Sequence, residues 1–289
     1  LKEYFAMSSW KLKTAQLGAG RGVADRQSIR RRSPAGTTPA ALLDPGYVAS
    51  GACGLGAKRS AAFKPMQVAL ATYPTAVQDD GAGPPLWEGL GDLSFAITTQ
   101  EPLAQKYFDQ GLRLTFAFNH AEAWRAFKKA RELDPGCAMC FWGEAFVLGA
   151  NINAPMADGA QQPAFVALTN AKARAAGASP RERALIDALA TRYAEPGADT
   201  ADLAEAYADA MAAVHARLPD DQDIAVLFAD AIMNTSPWDY WEADGRTPKG
   251  RLGEAVAAIE GVLASNPDHP GAAHLYIQLT EASATPERR

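Results

Sequence analysis

From residue 101 onward the apolar positions recur at helical spacing, with Phe108, Leu112 and Phe116 at i, i+4 and i+8. The spacing predicts a first helix over 101–118, a turn at Asn119 and His120, and a partner helix over 121–133 stopped by Asp134, Pro135 and Gly136. Lys128, Lys129 and Arg131 fall near the end of that second helix, where cations suit the helix dipole. The same periodicity predicts helices over 138–148, 164–176, 179–194, 201–218, 224–233, 251–264 and 271–283. Ser179 followed by Glu182 reads as a capping box that opens one of them. Residues 84–99 read as a lead-in loop, and 151–163, 195–200 and 235–250 as insertions between helices. The fold class predicted for 83–289 is therefore all-α.

Residues 1–82 show no such period. Gly, Pro, Ser, Ala and Arg dominate them, a composition that buries too little apolar area to offset chain entropy, so disorder is expected there. Arg30, Arg31 and Arg32 precede SPAGTTPAALLDPG and not an apolar run, and the apolar segment from Met66 is broken by Pro74, so neither makes a convincing export signal. No run approaches the roughly 18 apolar residues of a membrane span. Charge divides the chain as well: residues 1–80 hold 11 Lys/Arg against 5 Asp/Glu, and the remainder 17 against 28. An acidic helical region lacks the clustered cations that nucleic acid requires, which excludes nucleic-acid binding through the helices.

Counted from Ala104 as position 1 of a 34-residue unit, Tyr107, Gly111, Ala123, Phe127, Ala130 and Pro135 fall on positions 4, 8, 20, 24, 27 and 32. This pattern resembles the tetratricopeptide repeat. Gly111 and Ala123 allow two helices to approach closely, Phe127 fills the space beyond them and Pro135 ends the second helix. The register restarts at Ala138, with Phe141, Ala145 and Leu148 on positions 4, 8 and 11, and Pro219 and Pro267 recur at later repeat ends. The resemblance implies a right-handed superhelical array of antiparallel helix pairs, an α-solenoid. The helix over 271–283 has no partner after it, so the array is expected to be cut short at the C-terminus.

In such an array the first helix of each pair lines the concave surface. Phe108, Leu112, Phe116, Met139, Trp142 and Phe146 then form an apolar, aromatic groove for a protein or peptide partner, unless another segment of the chain covers it. The expected function is a non-catalytic scaffold.

Three places carry candidate chemistry. Cys137 and Cys140, spaced CxxC at a helix start, suit a disulfide, redox exchange or two metal ligands. His120 comes near Asn151, Asn153 and Met156 if adjacent repeats share an edge, although turn residues of this kind usually cap helices. His274, Gln278 and Glu281 lie on one helix face at i, i+4 and i+7, with Asp230 and Asn234 on the preceding first helix, and the alternative to a solvated polar face is a divalent-metal site on His274 and Glu281.

Beyond the generic repeat, the runs DPGCAMCFWG, NIN, SPWDYW and HLYIQ resemble a bacterial family of tetratricopeptide-repeat proteins, often exported. That resemblance implies an exported or periplasmic location. The family's last motif usually reads HLYIH followed by a glutamate, so His274 and Glu281 match it and Gln278 departs. The alternative function it implies is a metal-dependent or redox protein whose site uses His274, Glu281 and neighbours together with further C-terminal repeats expected beyond residue 289.

Overall fold

A computed structural model describes residues 83–193 and 200–287, and the expectations for 1–82 and 195–199 lie outside them. Within the described residues the regular structure is helical: α1 (Pro102–Phe116), α2 (His120–Leu133), α3 (Ala138–Val147), α4 (Gln161–Arg174), α5 (Pro180–Ala190), α6 (Thr200–Arg217), α7 (Gln222–Met233), α8 (Leu252–Ser265) and α9 (Pro270–Thr280). A single 3-10 turn, Ala175–Gly177, follows α4. Isolated bridges pair Asn151 with Ala154 and Trp241 with Pro248. None of these helices is long and apolar enough to cross a membrane.

The helix ends follow from local chemistry. Asn119 and Asp221 accept hydrogen bonds from the Glu122 and Ile224 N–H groups, and Ser179 and Glu182 form the reciprocal capping box. His269 caps α9 through Nδ1, which accepts from the Ala272 N–H at 3.2 Å. Boundaries move in three places: the insertion expected over 151–163 ends earlier, because α4 takes Pro163 into its first turn, where a missing N–H costs no hydrogen bond, and the helices expected over 179–194 and 271–283 stop at Ala190 and Thr280.

Each helix packs on the next in sequence. The first members of successive pairs also touch, α1 on α3, α3 on α5 and α7 on α9. Phe127 on α2 sets the closest of these approaches. A Cβ on Gly111 of α1 would lie 2.7 Å from its ring, and a Cβ on Gly143 of α3 would lie 2.3 Å from it, so the ring fills a slot that only two glycines leave open. Phe127 itself is fully buried and meets Phe108 edge-on at 5.3 Å.

Two further contacts shape the interior. Residues 83–101 lie across α1 and α5 as a strap. Phe95 donates its N–H to Asp109 at 3.0 Å, Arg113 Nε donates to the Leu93 carbonyl at 2.7 Å, and Thr98 N–H donates to the buried Glu182 carboxylate at 2.6 Å. At the other end α9 returns onto α1, where His274 Nδ1 lies 2.6 Å from the Phe116 carbonyl. The insertion at 235–250 is fastened to α9 by Trp241 Nε1, which donates to the Leu279 carbonyl at 2.7 Å.

Overfilling the Phe127 slot is expected to be costly. Gly143→Ala should lose about 2 kcal/mol of unfolding free energy, whereas Gly261→Ala, in a helix with open space around it, should gain about 0.5–1 kcal/mol. Urea denaturation of the two variants checks this, and equal midpoints would remove the slot as a determinant of packing.

Candidate functional site

The concave-groove residues of the sequence reading do not line a groove. Phe108, Leu112, Phe116, Met139, Trp142 and Phe146 are all buried. The chain covers them itself: the Phe95 ring sits 5.7 Å from Phe108, Trp142 stacks on Phe146 at 4.9 Å and donates Nε1–H to the Leu185 carbonyl, and His269 of the α9 end packs on Phe116. The register identified which residues point inward. It carried no information on the strap and the returning helix that close over them.

Cys137 and Cys140 are joined in a disulfide, and Cys137 Sγ also accepts the Cys140 N–H at 3.0 Å, capping α3. Both are fully buried, so neither is presented for exchange with another thiol.

At the metal candidate His274 the imidazole is held by hydrogen bonds within the chain. A carbonyl only accepts, so His274 Nδ1 donates to Phe116, which leaves Nε2 facing the Gln278 amide nitrogen at 3.1 Å. Both ring nitrogens are thereby engaged inside the protein, and the ring packs on Phe118 at 4.5 Å. Among the described residues no group of three His, Cys, Asp or Glu is placed to hold an ion.

The remaining polar candidates converge on a different place. A cavity of about 390 Å³ opens between the 150–156 loop, α6, the end of α7 and the start of the 235–250 insertion. Its walls carry Asn151 and Asn234, and Met156 adds a thioether. A second chamber of about 20 Å³, space for roughly one water, shares Ala150, Asn151 and Arg192 with the first and reaches His120 and Asp230. Arg192 thus stands between the two. Asn153 contributes its N–H, which donates to Asn151 Oδ1 at 2.9 Å and fixes the turn.

Sequence reading passed over Arg192, Tyr193 and Tyr207. The helix expected over 179–194 would carry Arg192 in its last turn, whereas α5 ends at Ala190 and Arg192 lies in the turn that follows. The structure turns it inward: it is 8% exposed, donates to the Ala150 carbonyl, and faces the rings of Tyr207 and Phe146 at 5.1 and 6.0 Å. Gly149 makes this possible, since a Cβ there would lie 2.6 Å from the guanidinium carbon. Tyr193 is anchored by donating to the Ala145 carbonyl. Tyr207 is 2% exposed, and its hydroxyl, like Asn234 Oδ1, is buried without a hydrogen-bond partner among the described residues.

Burial governs the titrating groups. It pushes the Asp230 carboxyl up to about 6, against the pull of Arg192 and of Asn234. It lowers the His120 imidazole to about 4, assisted by Arg192 and opposed by the Val147 carbonyl. His120 Nδ1 lies 3.2 Å from that carbonyl and therefore donates, so the Asn151 Nδ2 at 3.5 Å is a neighbour and not a bonded partner. Near neutral pH the chamber holds a cationic Arg192, a neutral His120 and a carboxylate that protonates readily.

Comparison with family models, curated proteins and solved structures found no match for this chain.

Two outcomes are expected. Asp230, with its value raised, favours folding below pH 4 and loses that contribution as pH rises through about 6; His120, with its value lowered, contributes above pH 6.5 and loses it as pH falls towards 4. Relative to the parent, Asp230→Asn should therefore gain on the order of 2–3 kcal/mol as pH rises from 4 to 7, and His120→Asn should gain a similar amount as pH falls across that range. Urea midpoints at several pH values test both, and parallel profiles for parent and variants would contradict the burial of these groups. Separately, native protein without reductant should leave Cys137 and Cys140 unalkylated, with both reacting after reduction in urea; labelling of either in the native state would rule out the bond.

Proposed function

We propose that this protein is a non-catalytic binding scaffold of the tetratricopeptide kind, whose recognition point is the cavity beside Arg192 and not the apolar face of its first helices. On this reading α1 to α8 form four antiparallel pairs in a right-handed superhelical array, with α9 as a fifth first helix. A protein or peptide partner engages the cavity by inserting a short segment.

The repeat reading is supported by the Phe127 slot, by the packing of each helix on its successor, and by contacts between first helices of successive pairs. The observation that carries the binding reading is the set of unmet polar groups in one apolar cavity: the Tyr207 hydroxyl, Asn234 Oδ1 and a buried Arg192 that makes no ion pair among the described residues. Burying polar groups without partners is unfavourable, and such groups persist where something else meets them. A non-catalytic role is supported by the imidazole nearest the cavity: His120 donates Nδ1–H to Val147 and is held neutral, a structural attachment of the α2 start.

Selection from a random-peptide phage library on the full chain tests this reading. Ala204 lines the cavity, and Ala204→Trp fills it. Enriched peptides should bind the parent and weaken at least about tenfold on Ala204→Trp, a loss of roughly 1.4 kcal/mol. No enrichment, or peptides indifferent to the blocked cavity, would overturn the assignment.

A further inference from the structure

We infer that the cavity is selective for a carboxylate carried on an apolar body. The inference rests on the reading of this cavity as the recognition point and adds the chemical class of what enters it.

The guanidinium of Arg192 is withdrawn from water, spends one N–H on the Ala150 carbonyl, and is held between the aromatic rings of Phe146 and Tyr207. Among the described residues the guanidinium feels the Asp230 carboxylate across the inner chamber but forms no ion pair with it, and a carboxylate entering the main cavity has two oxygens that match a guanidinium fork. Tyr207 lines the same cavity, with its ring 5.1 Å from the guanidinium carbon and its hydroxyl buried without a partner among the described residues. Asn234 lines the cavity too, with its Oδ1 likewise buried and unpartnered among the described residues. The rest of the wall is mainly apolar, with Ile152, Pro155, Met156 and Leu203, and carries Asn151, Gln161 and Thr235 besides. That composition sets the body of the ligand: apolar, and compact enough for about 390 Å³, within the usual range for small-ligand sites. A phosphate would bring more charge than one guanidinium and one hydroxyl can meet. A cation would face Arg192 directly, since Asp230 lines the small inner chamber and not the main cavity.

A carboxylate on an apolar stem comes either from a free organic acid or from an acidic side chain of a peptide, and calorimetric titration of the full chain separates the two. One arm uses 4-phenylbutyrate against neutral 4-phenylbutanamide. The other uses an end-blocked tripeptide with glutamate between two phenylalanines, against its glutamine counterpart. The acid is expected to bind at least about tenfold tighter than its neutral counterpart in one arm or the other, and the arm that discriminates identifies the source. Arg192→Gln should abolish the discrimination, whereas Arg192→Lys should keep part of it. Tyr207→Phe, which removes one hydroxyl, should weaken the acid without unfolding the chain, so the result does not depend on the folding of the arginine variants. Equal binding of acid and neutral forms, or failure of both while library-selected peptides still respond to Ala204→Trp, would overturn the anion selectivity and leave the cavity assignment standing. No binding by any probe or peptide, with Ala204→Trp without effect, would remove both.

Discussion

The aromatic ring of Phe127 occupies a slot left by Gly111 and Gly143, and much of the molecule follows from that contact. A helix of 10 to 15 residues is marginal alone and gains its stability by burying one face against neighbours. Here the ring holds α1, α2 and α3 at the distance its own thickness allows, with no side chain on either glycine to widen the gap. With α2 so placed, its first residue, His120, reaches the carbonyl of Val147 at the end of α3. The chain leaving α3 then passes Gly149 and forms the 150–156 loop, which is one wall of the cavity. The packing of one ring is thus transmitted to the site through helix ends that are fixed at both termini.

The interior departs from an ordinary core because charge has been carried into it. Arg192, Asp230 and His120 share a space with few polar partners, and burial opposes ionisation of the carboxyl and the imidazole alike. Each perturbation alone would make folding steeply pH-dependent. Their signs differ, so between pH 4 and 6 they offset one another. A core selected only for stability would replace these groups with hydrocarbon of the same volume, because isolated buried charges are replaced at no loss or at a gain. Their presence beside unmet hydroxyl and amide oxygens is what distinguishes this region from the packed layers around Phe127.

Closure of the fold by its own chain explains why the apolar first-helix face offers no surface. The 83–101 strap brings Phe95 over Phe108 and secures itself through Asp109 and Glu182, while α9 brings His269 and His274 against Phe116 and Phe118. Soluble chains rarely leave aromatic patches of that size exposed. The recess beside Arg192 lies apart from the face that these segments cover.

Much of this was determined by the sequence on its own. Apolar periodicity located every helix among the described residues, the Ser179 and Glu182 pair announced its capping box, and Gly111 with Phe127 announced the close helix approach, because these are properties of neighbours along the chain. The cavity was legible only in fragments: the repeat register brought His120 near Asn151 and put Asp230 and Asn234 on one helix, but nothing in it joined the two groups around Arg192. Tertiary structure alone decided the rest. Arg192 lies in the turn after α5, just past a helix end that the periodicity overran, and the carbonyl it binds belongs to a residue 42 positions away. Helical spacing put His274 on a polar face, solvated or metal-binding, yet the group that engages its Nδ1 comes from 158 positions upstream. Spacing along a helix reports which side chains share a face; what that face meets depends on segments brought there by packing, and no local pattern encodes their arrival.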